Sequence, residues 1–233
     1  MIVPLSTERF IRWLSRELGS PPVRGPPVLV PVRVAGEGEI LRAASLGLPS
    51  IVTSPNAVDV LASVLPRRAL EEALSRAVAI GPATAEAVLE AVPGASVVVP
   101  EEHNSRALAE YAASGRYVLW CSDSVDRSLA WAVEGRGGLV VRLYRLAVDW
   151  GALEELRGSI SDGDLLVLAS RASVDVWRSL REGLAASPRV VAVSRRVAEA
   201  LAGDAPARLA VFEGGDMRKF PDFLRGIYGR GDP

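Results

Sequence analysis

Short apolar runs alternate along the chain with longer stretches whose apolar positions recur every three or four residues. The runs are SIV at Ser50, AVAI at Ala77, SVVV at Ser96, YVLW at Tyr117, LLVL at Leu165 and RVVAV at Arg189. Continuous rather than alternating hydrophobicity marks strands covered on both faces, so SVVVP and YVLW are expected at the centre of a sheet. The stretches between the runs read as helices. Strand and helix in strict succession imply parallel strands, right-handed crossovers and helices packed on the sheet. The first helical stretch, 7 to 18, has Phe10, Ile11, Trp13, Leu14 and Leu18 on one side, Ser6 as its N-cap and Gly19 as its stop. Trp13, Trp131 and Trp177 all fall at helix-core spacing.

The pattern occurs twice. SPNAVDV at Ser54 matches SRASVDV at Ser170, and AIGPATAEAV at Ala79 matches AVSRRVAEAL at Ala192, with Gly81 falling on Ser194. A repeat of this length means two similar units. The long runs VLVPVRVAG and VVRLYRLAV flank the first copy, which places one unit inside the other. The expected fold class is therefore α/β: two similar parallel-sheet, flavodoxin-like lobes, one inserted in the other, joined by a two-strand antiparallel linker. Residues 1–34 plus 150–233 form the discontinuous lobe and 35–149 the inserted one, with linkers at about 31–37 and 144–151. A cleft flanked by two such lobes is a binding-site geometry.

Composition narrows the function classes. Hydrophobic residues make up 49% of the 233 and aromatics 6%, so the cores are built from Val, Leu and Ala. A net charge of -1 with both signs interspersed removes the electrostatic footprint of a nucleic-acid partner. One cysteine, Cys121, and one histidine, His103, cannot build a disulfide framework or a His/Cys metal cluster. No apolar run has membrane-spanning length and MIVPLSTERF carries no signal pattern, so the protein is expected to be cytoplasmic with no membrane partner. Cys121 reads as a small buried hydrophobe and His103, in a polar loop, as surface. Glu101 and Glu102 are adjacent, so their side chains diverge and do not make a carboxylate dyad.

The chain resembles the uroporphyrinogen-III synthase family. The residues that carry the resemblance are IVTSPNAV at Ile51, AIGPATAEA at Ala79, VVPEEHNSRALAEY at Val98, YVLWCSDSVDRSLAWAV at Tyr117 and LVVRLYR at Leu139, in the family's order. It departs from the pattern in the second copy, where Gly-Pro-x-Thr has become Ser194-Arg195-Arg196-Val197, and after the first run, where IVPLS stands in place of a customary arginine.

The resemblance implies a lyase that cyclises the linear tetrapyrrole hydroxymethylbilane with inversion of ring D and loss of water, needing no cofactor and no metal. Tyr144 falls on the family's hinge tyrosine and is the candidate for helping the hydroxyl leave, since a phenol donates a hydrogen bond at neutral pH. A polycarboxylate is held well by backbone amides at helix N-termini. The candidate turns are Thr53-Ser54-Pro55-Asn56, Gly81 with Ala83 and Thr84, Ser122-Asp123-Ser124, Ser170-Arg171-Ala172 and Ser194-Arg195-Arg196. Gly81 permits close backbone approach, Pro82 suits a first helical position and Thr84 offers a hydroxyl. Arg195 and Arg196 at a helix start oppose the dipole, which favours contact with an anion. The same residues serve plain helix capping in any α/β protein. Two other readings therefore stand beside a monomeric synthase: a non-catalytic two-lobed binder of a tetrapyrrole or other polyanion, and a generic small-molecule-binding α/β protein.

Overall fold

The computed structural model describes residues 1–201, 203–214 and 216–229. In chain order the elements are β1 (Ile2–Pro4), α1 (Glu8–Leu18), β2 (Leu29–Arg33), α2 (Glu37–Ala44), β3 (Ser50–Val52), α3 (Pro55–Val64), α4 (Arg67–Leu74), β4 (Arg76–Ala79), α5 (Pro82–Ala91), β5 (Ser96–Val98) and α6 (Ser105–Ala112). They continue with β6 (Val118–Ser122), α7 (Arg127–Glu134), β7 (Leu139–Val148), α8 (Trp150–Arg157), β8 (Leu165–Leu168), α9 (Arg171–Arg181), β9 (Arg189–Ala192), α10 (Arg195–Glu199), β10 (Leu209–Val211) and α11 (Phe220–Gly229). Contacts divide them into two units, one of Met1–Val30 with the chain from Leu146 onward, the other of Pro31–Arg145.

The first unit holds a four-stranded sheet in the order β1-β8-β9-β10, parallel throughout. Both faces are covered. Along β8, Leu165 and Val167 join a core with α1 and α11, while Leu166 and Leu168 join one with α8 and α9. That is why the run reads LLVL with no polar residue. Just before β8 the buried Asp164 carboxylate accepts from the Met1 ammonium at 2.8 Å, from Arg24 at 2.7 Å and from the Ser161 amide at 2.9 Å. These bonds tie the chain start and residue 24 to β8.

The second unit holds β7-β6-β3-β4-β5, again parallel, with β2 beside β7. Two backbone bonds give the direction of β2 against β7. The Val34 N–H donates to Leu143 and the Asp149 N–H to Val28, so one strand advances as the other retreats, and the pair is antiparallel. The sheet's centre is β6, where Trp120 is fully buried and donates its indole N–H to Ser50 Oγ at 2.7 Å.

Three expectations are corrected. β5 is an edge strand rather than a central one, and Val98 is 42% exposed, because nothing pairs with it beyond β4. α1 starts one residue later than expected, with Thr7 rather than Ser6 at its N-cap. Trp131 is 67% exposed on α7 despite its spacing, because Leu129, Ala130 and Val133 already supply the buried face of that short helix. Among the described residues, no helix is long and apolar enough to cross a membrane.

Candidate active site

Parallel strands put all their strand-to-helix turns at one edge of each sheet, and ligands of open α/β sheets gather there where the strand order reverses. In the second unit the chain steps from β3 outward to β4 and β5, then returns to β6 and β7 on the other side of β3. The reversal lies between β3 and β6. Ser54 follows β3 and caps α3: its hydroxyl accepts the Ala57 N–H at 3.2 Å, with Pro55 in the first turn. Thr53 is engaged inward, its hydroxyl donating to the Trp120 carbonyl at 3.3 Å.

Tyr144 reaches the same point from β7. A register shift between β6 and β7 pairs Cys121 with Arg142 but Ser122 with Tyr144, so β7 carries an extra residue there. The bulge breaks the alternation and buries both Leu143 and Tyr144. The Asp123 N–H donates to the Tyr144 carbonyl at 2.8 Å and fixes the backbone. The phenol lies 2.6 Å from Ser54 Oγ. Burial pushes the phenol above its ordinary value of 10, hydrogen bonds from the Ser54 and Asn56 side chains pull the other way, and Cys121 and Asp123 add to the rise. Tyr144 is thus a protonated, nearly dry phenol at the switch point. Its neighbour Cys121 is a buried free thiol pushed up to about 12, chiefly by burial, and is not a nucleophile.

The remaining candidates divide. Gly81 caps α5 with extended backbone and Pro82 occupies the first turn. A Cβ at Gly81 would sit 3.5 Å from His103, an ordinary contact, so the glycine is not required by its own packing. His103 therefore packs over this turn rather than standing alone on the surface. Ser122-Asp123-Ser124 is not a helix N-terminus: α7 begins at Arg127 under Asp126, whose carboxylate accepts the Ser128 N–H. These three instead line the end of β6, with Ser122 and Ser124 hydroxyls 3.1 Å apart.

In the first unit, Val23 bridges β1 on the side away from β8, which puts the reversal between β1 and β8. Ser170 caps α9 in a reciprocal capping box with Ser173, with Arg171 and Ala172 in the first turn. Ser194 caps α10, and Arg195 pairs with Glu213 at 2.9 Å in an exposed ion pair. Arg196 stands beside it at the helix start.

Sequence reasoning took Ser6, at the carboxyl end of β1, only as a helix cap and did not single out Thr7. Both are buried residues, as is Thr84, and their hydroxyls make no hydrogen bond to a described residue. The other buried hydroxyls, those of Ser50, Ser173, Tyr117 and Tyr144, are bonded. Among the described residues, the side-chain atoms that are both sealed from solvent and without a partner are Arg24 Nε and Arg157 Nε. Ser6, Thr7 and Thr84 all sit just beyond carboxyl ends of parallel strands. Their signal was a polar pair directly after an apolar run, IVPLST, the place Thr53-Ser54 holds after β3.

A family model described as uroporphyrinogen-III synthase HemD matches residues 48–211. The chain belongs to the uroporphyrinogen-III synthase family. The match runs from just before β3 to the end of β10 and so takes in Ser54, Gly81, Tyr144 and Ser170. A comparison with curated proteins finds no match. Among solved structures, a mutant uroporphyrinogen III synthase from Thermus thermophilus is similar over 98% of this chain and 99% of its own, at 21% identity and a TM-score of 0.55. The uroporphyrinogen-III synthetase of Helicobacter pylori covers 97% and 98% at 11% identity and a TM-score of 0.64. At such identities the likeness is one of fold, the two-lobed parallel α/β architecture of the family.

Proposed function

We propose that the protein is a uroporphyrinogen-III synthase, a lyase that closes hydroxymethylbilane with inversion of ring D and release of water. Tyr144 donates a hydrogen bond to the departing hydroxyl. The raised phenol suits that task, since it stays protonated through neutral pH and helps the hydroxyl leave as water without itself being a strong acid. The strand-end turns of both units hold the carboxylates through backbone amides, restraining the bilane so that ring D attacks with inversion rather than by direct closure. No cofactor takes part and the monomer suffices. The observation that carries the reading is the buried Tyr144 phenol against Ser54 at the switch point of a chain of this family.

The alternative, a non-catalytic polyanion binder, draws on the altered second turn, where Arg195 is paired with Glu213. A coupled assay separates them. Hydroxymethylbilane is generated by its deaminase, this protein is added, and the oxidised type I and type III isomers are resolved. The synthase gives mainly type III, and Tyr144→Phe lowers the rate about 100-fold with the fold retained. Type I alone, at the uncatalysed rate, removes the synthase reading. An unchanged rate for Tyr144→Phe makes the tyrosine structural.

A further inference from the structure

We infer that Ser54 is the positioning residue for Tyr144, its hydroxyl donating to the phenolic oxygen so that the phenol's own proton is left for the substrate. The inference deepens the synthase reading and rests on it for the identity of that substrate. A serine hydroxyl has one proton and two lone pairs. One lone pair is engaged by the Ala57 N–H, the bond that caps α3. The phenolic oxygen lies 2.6 Å away, within reach of the proton of the same hydroxyl. Asn56, two residues into the same turn, pulls the phenol's value down through its side chain, as Ser54 does. The positive end of α3 favours an oxygen that accepts rather than one that donates. With Ser54 donating, a lone pair of the phenol points at the α3 turn and its O–H points away.

The tyrosine is therefore fixed at two ends. The bulge and the Asp123 N–H set its backbone from β6, and the α3 turn sets its oxygen. Ser54 then serves as cap and as orienter with the same oxygen atom, and its contribution to catalysis passes through Tyr144 rather than through a carboxylate of the substrate.

Ser54→Gly deletes the hydroxyl at little cost to the cap, because glycine is itself tolerated at that position. Ser54→Thr keeps the hydroxyl. In the ligand-free protein, ultraviolet titration of the phenols, with Tyr144→Phe as the blank, reads the bond directly. Cys121 and Asp123, which act on the phenol, are the same in every variant. Ionisation of Tyr144 moves to higher pH in Ser54→Gly and returns towards wild type in Ser54→Thr; an unmoved titration overturns the inference. In the coupled assay, Ser54→Gly lowers kcat roughly tenfold with KM little changed. Ser54→Thr restores kcat, and the loss vanishes in the Tyr144→Phe background. A loss that persists without the phenol, or one as deep as that of Tyr144→Phe, overturns the inference, the first because Ser54 then acts on its own and the second because Ser54 then delivers the proton. Wild-type protein that forms only type I product refutes the synthase reading instead, and the titration alone then decides whether Ser54 holds the phenol.

Discussion

At the scale of single residues, a clear electrostatic statement lies at Asp164, just before β8. Burial alone would raise its carboxyl. The Met1 ammonium, the Ser161 amide and hydroxyl and the Arg24 guanidinium outweigh that and hold it down to about 2, against an ordinary 3.8. A carboxylate depressed on folding stabilises the native state fully above its unfolded value, and the contribution is lost as pH falls through the folded one. Urea unfolding followed between about pH 6 and pH 2 should therefore show a stability loss beginning near the unfolded value and continuing towards the folded one. Asp164→Asn should be destabilised at the upper end of that range and converge on wild type at the acid end. A constant difference across the range would show that the charge is not what Asp164 contributes. Nothing in the sequence marks this residue, since Arg24 lies 140 positions away and only the pairing of β1 with β8 brings them together. Tyr144 was legible as a residue type in a motif, but its burial was not: an alternating strand would have faced it opposite to Leu143, and the bulge that overrides the alternation has no local sequence signature.

Elements were legible where apolar runs are long and bounded, and less so where a short helix or an edge is involved. The run SVVV looks like that of a central strand, yet strand order is a tertiary property and β5 closes the sheet edge. Ser122-Asp123-Ser124 looked like a helix start because polar residues follow a strand, but the chain runs on to Asp126 before the first turn forms. The join between α7 and β7 gives a sharper test of how tightly the site strand is set. A Cβ at Gly138 would lie 2.5 Å from the Tyr117 carbonyl oxygen and 2.7 Å from Val133 Cγ1. That carbonyl accepts the Leu139 N–H at 2.9 Å, the first bond holding β7 to the strand beside it. Since backbone has to shift, Gly138→Ala should cost about 1–3 kcal/mol in urea unfolding. Gly163→Ala, with nothing near its Cβ, should stay within about 0.5 kcal/mol and serves as the control. Equal effects at both positions would mean that close approach is not why Gly138 is needed.

At the scale of the whole molecule, the repeat was the most informative feature of the sequence, because two copies of one strand-turn-helix grammar define two parallel sheets whose turns gather at their carboxyl edges. It left open whether the altered copy still serves. α10 is short, Arg195 pairs with Glu213 in an exposed ion pair, and the amides behind Ser194 remain in that turn to meet a carboxylate. If one polycarboxylate engages the turns of both units, as the proposed function requires, its binding should be recorded in each by amide hydrogen exchange. With the type III product added, exchange should slow after Ser54 and Gly81 in one unit and after Ser170 in the other, while surface helices such as α4 stay unchanged. Slowing after Ser194 as well would mean that the altered turn still contributes through its backbone. No slowing there, with protection at Thr7 and Ser170, would move the grip of the first unit to its own switch point between β1 and β8, where the buried Ser6 and Thr7 lie. Protection confined to the unit of Pro31–Arg145 would show that the ligand is held by the turns of that unit alone.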